Sequence, residues 1–328
     1  MIITRTPFRI SFAGGGSDLP SFYEKHEGCV LSASINKYMY IIVHPSFSKD
    51  ETIVKYRKME IVKDIADIQH PIARQVLMDH NLSGVEVASV SDIPAGTGLA
   101  SSSAYTVGTL NAVGAYVGKI HSQERLAHDA CEVEITKLGE PIGKQDQYGV
   151  AVGGLKFIRF MTNGNVAVTP IVLAKDTLEE LNGNLMMFYT GNVRSASSIL
   201  SEQNKNVSDQ AKFNNLVKMT ELTYELKDAL QNNDLTSFGS ILHKGWMLKR
   251  ELANGITNPL IDKYYDIAME NGALGGKLLG AGGGGFLLMY VPKERQDKLR
   301  NALSDLSLMD FSFDHDGSKI IFVGDKTW

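Results

Sequence analysis

Apolar runs separated by glycine, proline and asparagine dominate the first half of the chain. These runs are rich in β-branched and aromatic residues, which is typical of strands separated by turns. They predict strands at Ile2–Thr6, Arg9–Ala13, Cys29–Ile35, Tyr38–Pro45, Thr52–Tyr56 and Val85–Val90. A later pair of runs, Leu155–Phe160 and Val166–Ile171, flanks the polar segment Thr162–Asn165 and predicts a hairpin.

A different spacing of apolar residues begins after Ser103. Apolar side chains there recur every three or four residues, which predicts a helix. The repeating positions are Val107, Leu110, Val113 and Val117. A second helix is predicted from about Ser122 to Leu138, and Gly139 and Pro141 end it.

The second half of the chain begins near Lys175 and mixes both kinds of pattern without regular alternation. Strands are predicted at Leu185–Tyr189, Ala273–Leu279, Phe286–Val291 and Lys319–Val323. Helices are predicted at Ser195–Lys205, Gln210–Asn232, Leu235–Glu251, Pro259–Asn271 and Lys293–Leu303. This mixture favours an α+β fold, and the length of 328 residues favours two domains, at 1–174 and 175–328.

Composition excludes several classes of protein. The chain is 43% hydrophobic and 21% charged, which is ordinary for a globular protein, and its net charge of -4 argues against a nucleic-acid groove. No apolar run is long enough to span a membrane, and the first residues do not resemble a signal peptide. Cys29 and Cys131 lack metal-type spacing, so we expect buried thiols in a cytoplasmic protein without nucleic-acid or membrane partners.

The segment Pro94–Ala104 combines glycines with three consecutive serines, directly before the first predicted helix. Glycine lets the backbone approach an anion, and the first turn of a helix offers N–H groups without intrahelical partners. The segment therefore predicts a phosphate-binding loop. A single serine would be explained by an ordinary helix N-cap, but three serines behind two glycines exceed what a cap requires.

A second glycine cluster, Gly280–Gly285, has five glycines in six positions and fits the G-x-G-x-x-G pattern. A dinucleotide-binding turn opens a helix, whereas Phe286–Val291 is predicted to be a strand, so this turn is not of that kind. We expect the loop to pack bare backbone against another group. The segment Gly139–Gln145 fails the P-loop pattern, and Ser101–Ser103 lack the surroundings of a hydrolase nucleophile.

Three carboxylates are candidates for chemistry. Asp18 ends the glycine cluster that begins at Gly14, where it either accepts hydrogen bonds from a polyol substrate or forms an Asx-type turn or N-cap. Asp146 lies in the polar segment Lys144–Tyr148, which is expected to be a loop. If the chain folds back after the second helix, Glu134 and Asp146 converge near the serines, one to hold Mg²⁺ and the other to handle a hydroxyl proton.

Taken together and in order, the glycine-rich segments resemble the three motifs of the GHMP kinase superfamily. This superfamily is named for galactokinase, homoserine kinase, mevalonate kinase and phosphomevalonate kinase. Pro7–Ile10, with the glycines and Asp18 that follow, resembles the first motif. Pro94–Ser102 resembles the second, P-x3-G-L-x-S-S, and Gly280–Gly285 resembles the C-terminal G-A-G-x-G-G loop.

Within that superfamily the chain is most similar to bacterial D-glycero-D-manno-heptose 7-phosphate kinases. The similarity lies in Arg5–Pro20, Gly139–Tyr148 and Thr190–Arg194. Galactokinases have a Glu-His pair before the aspartate, where this chain has Gly15–Ser17, which argues against galactose as the substrate.

The resemblance implies a two-domain fold, with an N-terminal domain like ribosomal protein S5 domain 2 and a ferredoxin-like C-terminal domain. It implies Asp146 as the catalytic aspartate beside Arg9, and Ser102 and Glu134 as ligands of Mg²⁺. The implied ATP-binding residues are Pro94, Gly96, Thr97, Gly98, Leu99, Ala100, Ser101, Ser102 and Ser103. The implied substrate-binding residues are Gly15, Gly16, Ser17, Asp18, Gly282 and Gly283.

A phosphorylated substrate also needs a cationic partner. Arg194 is the first candidate, because arginine binds phosphate with a bidentate fork. Lys249 and Arg250 are weaker candidates, which we expect instead to be solvated surface charges.

The implied reaction is transfer of the γ-phosphoryl group of ATP to the anomeric hydroxyl of D-glycero-D-manno-heptose 7-phosphate, giving the 1,7-bisphosphate. We expect a monomer or homodimer that serves nucleotide-activated heptose synthesis for capsule or surface glycans. Alternatives are a kinase for fucose or an unphosphorylated heptose, and a catalytically silent sugar sensor, which the retention of Ser102, Glu134 and Asp146 disfavours. A decarboxylase like the mevalonate diphosphate enzyme is disfavoured by the sugar-kinase-like segment Gly143–Gln147.

Overall fold

The computed structural model describes residues 1–191 and 196–324. Their strands form two sheets, one of eight strands and one of four. The strands are β1 (Ile2–Ala13), β2 (Gly28–Pro45), β3 (Thr52–Lys55), β4 (Met59–Val62), β5 (Val85–Ser91), β6 (Leu155–Phe160), β7 (Val166–Pro170), β8 (Leu185–Tyr189), β9 (Gly275–Leu278), β10 (Phe286–Tyr290), β11 (Ser307–Leu308) and β12 (Lys319–Val323). The helices are α1 (Pro20–Tyr23), α2 (Pro71–Asp79), α3 (Ser101–Tyr116), α4 (Gln123–Cys131), α5 (Gln145–Ala151), α6 (Lys175–Gly183), α7 (Ala196–Asn206), α8 (Gln210–Gln231), α9 (Phe238–Arg250), α10 (Pro259–Glu270) and α11 (Gln296–Ala302).

The larger sheet has the order β12-β1-β2-β5-β3-β4, and β6 pairs with both β2 and β7. The 18-residue β2 makes this branching possible, because Gly28–Ala33 pairs with β6 and Met39–Pro45 pairs with β5. The register between β1 and β2 shifts between Pro7 and Phe8. A bulge accommodates extra residues without ending a strand, so four predicted strands are in fact two.

Helix α3 lies against β1 and β2, and 13 of its 16 residues are buried, so it is a core helix with no solvent face. Gly108 lets its backbone approach the sheet, since a Cβ there would lie 3.0 Å from Ile41 Cγ1. The Gly108 carbonyl accepts a hydrogen bond of 2.9 Å from the Thr4 hydroxyl. At the start of the helix, the Arg9 N–H donates to Leu99 O (3.3 Å). These contacts fix the serine loop beside β1.

The predicted helix from Ser122 to Leu138 is interrupted. Ser122 caps α4 by accepting a hydrogen bond from the Arg125 N–H (3.2 Å), as a helix-starting serine does. After Cys131 the chain continues as a π-helical segment, Glu132–Lys137. The wider turn changes the direction of the side chains that follow, and it buries Glu134.

The smaller sheet has the order β11-β8-β10-β9. The predicted glycine loop, Gly280–Gly285, joins β9 to β10 as a hairpin. Trp246 and Tyr265, from α9 and α10, belong to the apolar cluster that packs with this sheet. Strand β12 lies near the end of the described chain and returns to pair with β1 in the larger sheet. The domain boundary at residue 174 stays a prediction.

Two expectations from composition have structural counterparts. Cys29 and Cys131 are buried and unpaired in the described chain, and burial raises the pKa of the Cys29 thiol to about 12. Of the helices in residues 1–191 and 196–324, none has the length and apolar character needed to cross a bilayer.

Candidate active site

A cleft of about 1160 Å³ brings the three predicted glycine loops together. Gly15 and Gly16 line it from the first loop, Gly96 and Gly98 from the second, and Gly282 from the third. Segments separated by more than 260 residues in sequence therefore form a single cavity.

The serine loop turns through left-handed conformations at Gly96, Gly98 and Ala100 (φ +80°, +86° and +67°). Ala100 is the N-cap of α3, and no side chain in the described part of the chain caps this helix. The first helical hydrogen bond runs from Ala104 N to Ala100 O, so the amides of Ser101–Ser103 precede the intrahelical ladder. The interpretation of the serines as N-caps is therefore wrong, and these amides face the cleft end of the helix, where an anion is stabilised.

Two of the serines bind a buried carboxylate. Ser102 Oγ donates to Glu134 Oε1 (2.7 Å), Ser103 Oγ donates to Glu134 Oε2 (2.8 Å), and Gln147 Nε2 donates to the same oxygen (2.6 Å). Glu134 is only 1% exposed, and burial raises the pKa of its carboxyl above its usual range, although these hydrogen bonds oppose the shift. No basic side chain in the described chain forms an ion pair with Glu134, so its charge, when present, has no protein counterion.

The polar segment Lys144–Tyr148 is not the predicted loop. It forms the start of α5, because Gln147 and Tyr148 are buried against the core. This short helix presents Asp146 to the cleft, where Arg9 donates to its Oδ1 from Nε (3.1 Å) and from Nη2 (2.6 Å). Both hydrogen bonds reach the same oxygen, which leaves Oδ2 without a donor in the described chain.

Asp18 is buried and held from two sides. Its Oδ1 accepts hydrogen bonds from Gly16 N (3.0 Å) and Gln145 Nε2 (2.9 Å), and its Oδ2 accepts one from Gln145 N (3.1 Å). Burial raises the pKa of this carboxyl, and the neighbouring Asp146 adds to the shift. Asp18 thus joins the first glycine loop to α5, and Oδ2 keeps room for one further donor.

The second and third glycine loops pack backbone against backbone, as expected for the third loop. A Cβ at Gly98 would lie 2.4 Å from Leu279 O, and one at Gly280 would lie 2.5 Å from the Gly98 Cα. A Cβ at Gly285 would lie 2.3 Å from Thr97 O. Any larger residue would therefore separate the two loops.

Lys249 is not the solvated surface charge that we expected. It is buried, and its ammonium donates to Gly280 O (2.6 Å). Burial is the main reason that the pKa of Lys249 falls to about 8. A second buried lysine of the cleft, Lys277 on β9, was not predicted at all, although a charge inside the apolar run Ala273–Leu279 was a signal for it.

The opposite end of the cleft is aromatic. The His70 ring stacks on Tyr105 at 4.5 Å between centroids and meets Tyr56 edge-on at 4.7 Å. Burial lowers the pKa of His70, which favours the neutral imidazole. A flat, apolar, nitrogen-lined wall of this kind suits a heterocyclic base. No sequence motif indicated it.

Not every predicted residue faces the cleft. The Ser17 hydroxyl bonds to Gly14 O (2.8 Å) and Cys29 O (2.9 Å), so this side chain shapes its own loop. Thr97 and Leu99 are 1% exposed and support the serine loop from behind. The Gly283 N–H donates to Ile256 O (3.0 Å). Arg194 lies outside the described residues. Gln203 was missed, and its buried amide nitrogen at the cleft wall has no hydrogen-bond partner among the described residues.

Two family descriptions match the chain. Residues 62–154 match "GHMP kinases N terminal domain", and residues 226–306 match "GHMP kinases C terminal". The first match includes the serine loop, Glu134 and Asp146, and the second includes Lys249 and the third glycine loop.

Named relatives agree with these matches. D-glycero-alpha-D-manno-heptose 7-phosphate kinase of Campylobacter jejuni is 29% identical over 97% of this chain and 98% of its own length. L-fucokinase/L-fucose-1-P guanylyltransferase of Bacteroides fragilis is 27% identical over 90% of this chain, which spans 35% of that longer protein. The crystal structure of a D-glycero-D-manno-heptose 1-phosphate kinase from Bacteroides thetaiotaomicron has the same fold, with a TM-score of 0.81 at 23% identity over 99% of this chain and 100% of that one. The chain therefore belongs to the GHMP kinases and is an ATP-dependent phosphotransferase of the sugar kinase type, with the predicted α+β fold of that family.

Proposed function

We propose that this enzyme transfers the γ-phosphoryl group of ATP to the anomeric hydroxyl of D-glycero-D-manno-heptose 7-phosphate and releases the 1,7-bisphosphate and ADP. The observation that carries the proposal is the pairing of Arg9 with one oxygen of Asp146 in a cleft that also holds the serine loop. The full-length similarity to the Campylobacter jejuni kinase supports the choice of acceptor.

ATP lies, in this proposal, with its base at the aromatic end and its phosphates over the serine loop. Stacking on His70 and Tyr105 suits adenine, and the amides before α3 suit the phosphate oxygens. Pro94, Gly96 and Gly98 also line the cleft, and the two glycines present backbone without a Cβ.

The residues present fit Mg²⁺. Glu134 is a buried carboxylate without a basic partner in the described chain, and Ser102 Oγ lies 2.7 Å from it, so an oxygen donor set is already assembled. Mg²⁺ is commonly held by one or two carboxylates together with substrate phosphates, which agrees with the lack of a cluster of three acidic, histidine or cysteine ligands among the described residues. When bound, the ion would neutralise charge on the transferring phosphoryl group.

Asp146 is the proposed proton acceptor. Its free Oδ2 accepts the proton of the anomeric hydroxyl while that oxygen forms a bond to the γ-phosphorus, and the bond to the β,γ-bridging oxygen breaks. Arg9 holds the carboxylate in place through Oδ1 and also donates to Gly98 O (2.8 Å), so it links the proton acceptor to the nucleotide loop.

The acceptor sugar lies between the first and third glycine loops in this proposal. Gly15, Gly16 and Gly282 give it access to backbone, and Asp18 Oδ2 and the unpartnered Gln203 amide offer hydrogen bonds to hydroxyl groups. Sugar hydroxyls need such buried polar partners for recognition.

A second candidate is the kinase of another sugar, such as fucose. The similarity to the Bacteroides fragilis fucokinase over 90% of this chain favours it. The two candidates share the phosphoryl-transfer machinery and differ only in the acceptor.

A panel of sugars and sugar phosphates, assayed with ATP by ADP release and by phosphorus NMR of the product, tests the proposal. We expect the highest kcat/KM with heptose 7-phosphate and a new anomeric phosphate signal. A higher kcat/KM with fucose or an unphosphorylated heptose selects the second candidate. ADP release that no acceptor stimulates contradicts both.

A further inference from the structure

Lys277 is a buried basic side chain that has no partner among the described residues. It is 4% exposed on β9 and lines the cleft. In residues 1–191 and 196–324, no carboxylate pairs with its ammonium and no acceptor receives a hydrogen bond from it. Burying an ammonium group in this way is unfavourable unless a partner arrives, so the position points to an anionic ligand.

Lys249 provides a second ammonium beside the first glycine loop. It is 6% exposed and uses one of its three N–H groups to bind Gly280 O. Its nitrogen lies 3.7 Å from the position that a Cβ of Gly15 would occupy. Two N–H groups therefore remain for a ligand that reaches this loop.

The carboxylates near the two lysines are already hydrogen-bonded to other groups. Asp18 is bonded to Gly16 and Gln145, and Asp146 is bonded to Arg9. Burial holds the pKa of Lys277 well below its usual range, and the charges of Lys249 and Arg9 lower it further, with no carboxylate opposing the shift. The described residues therefore supply no countercharge for a protonated Lys277, whereas a bound anion would.

The two lysines lie at the acceptor end of the cleft. Together with Phe12 and Gly14 they line a small cavity of about 10 Å³ directly behind the first glycine loop. Glu134, by contrast, is bonded to Ser102, Ser103 and Gln147. The lysines therefore lie at the first and third glycine loops, and Glu134 lies at the serine loop.

We propose that Lys249 and Lys277 form an anion subsite that binds the phosphate carried by a phosphorylated sugar acceptor. A phosphate monoester offers up to two negative charges and three acceptor oxygens, which match two ammonium groups. The proposal rests on the proposed sugar kinase function and specifies how a phosphorylated acceptor is chosen over a plain sugar. The γ-phosphoryl group of ATP has the same chemistry, so the test separates the two sources.

The test uses Lys277→Met and Lys249→Met, with Lys244→Met as the matched control, because Lys244 is an exposed lysine on the same helix as Lys249. Initial rates are measured with heptose 7-phosphate and with the unphosphorylated heptose, each at saturating ATP, and then with ATP varied. Each cleft variant should raise the KM for the phosphorylated acceptor by about 10- to 100-fold, the worth of a hydrogen bond to a charged group. The KM for ATP and the rate with the plain sugar should change little, and the control should match wild type.

The contrary outcomes are distinct. An equal fall in kcat for both acceptors with unchanged KM values assigns the lysines to the transferring phosphoryl group and overturns the proposal, as does a rise in the KM for ATP alone. If wild type phosphorylates no sugar, the proposed function fails, but calorimetric titration with inorganic phosphate still decides the subsite. Binding that wild type shows and both cleft variants lose by about tenfold supports it, and equal binding by all three proteins overturns it. Thermal unfolding of each apoprotein checks that the variants fold.

Discussion

The two ends of the cleft handle buried charge in opposite ways. At the serine loop, Glu134 has three hydrogen-bond donors and no ion-pair partner in the described chain. At the far end, Lys277 has neither an ion pair nor a hydrogen bond with any described residue. Buried charges in a stable core are normally paired, and here the fold keeps a carboxylate and an ammonium apart in one cavity. The two proposals explain this contrast, because each end would be completed by a ligand of opposite charge.

Lys156 shows what a purely structural buried lysine looks like in the same molecule. It is completely buried, it donates to Ser34 Oγ (2.9 Å) and Gly154 O (3.0 Å), and it does not line the cleft. Burial alone therefore does not distinguish a ligand-binding lysine from a structural one. A ligand-binding lysine is better recognised by the lack of a protein partner together with access to a cavity.

The largest expected effect comes from the carboxylate that lies between the two ends. Asp146→Asn removes the proposed proton acceptor, so kcat should fall by about 10²- to 10⁴-fold while ATP binding is kept. A coupled ADP-release assay and nucleotide titration measure these quantities. Asp129→Asn is the control, because it breaks a comparable Arg–Asp pair with Arg125 (2.9 Å) on the surface, and it should leave kcat unchanged. Near-normal turnover of Asp146→Asn would remove Asp146 from the mechanism.

The contact between the second and third glycine loops holds the two ends of the cleft in their relative positions. Gly98→Ala should cost about 2–4 kcal/mol in unfolding free energy, from a left-handed φ plus a Cβ placed 2.4 Å from Leu279 O. Gly118→Ala is the control, since Gly118 has a similar φ of +81° but open space at the Cβ position, and should cost about 1–2 kcal/mol. Denaturant unfolding compares them. Equal losses of unfolding free energy in the two variants would mean that the loops move apart at their contact without an energetic penalty.

The extent to which sequence predicts this site depends on how local each signal is. The serine loop and the third glycine loop could be predicted as loops because their sequence signals lie in consecutive residues. Glu134 was placed correctly near the serines, but its inward direction depends on the π-helical segment, which no apolar period encodes. Helix α5 was missed because its seven residues are helical through packing against the core. Lys277 was missed because the pattern of a strand predicts which residues are buried, but not which buried residue lines a ligand cavity.

At the serine-loop end, Glu134→Gln tests whether the buried negative charge of Glu134 destabilises the fold when no cation is bound. The folded-state pKa of Glu134 is raised, so its contribution to stability is complete below the unfolded pKa of about 4.3 and is lost as pH rises through the folded value. The variant should therefore be about 1–3 kcal/mol more stable than wild type at pH 8, and the difference should be much smaller at pH 4.5. Mg²⁺-ATP should stabilise the variant less than it stabilises wild type. Thermal unfolding at both pH values measures this. A variant less stable than wild type at pH 8 would show that Glu134 serves the fold and not a ligand.

The smallest effect at any single pH step concerns Lys156, which tests whether a lysine with hydrogen-bond partners still carries a cost of burial. Its pKa falls from 10.5 to about 7, mainly through burial, so between these values the unfolded chain binds more protons than the native one and stability rises with pH. Lys156→Met lacks this term, and the free energy of unfolding of wild type should therefore gain on that of the variant by up to about 1.4 kcal/mol per pH unit between pH 7.5 and 9.5. Urea unfolding across that range measures the two slopes. The difference should persist at high salt, because ions screen buried charges weakly. Parallel slopes would mean that the hydrogen bonds to Ser34 and Gly154 fully replace the lost hydration of the Lys156 ammonium. Two hydrogen bonds would then suffice to keep a buried lysine protonated, and the lack of any such bond at Lys277 would matter more.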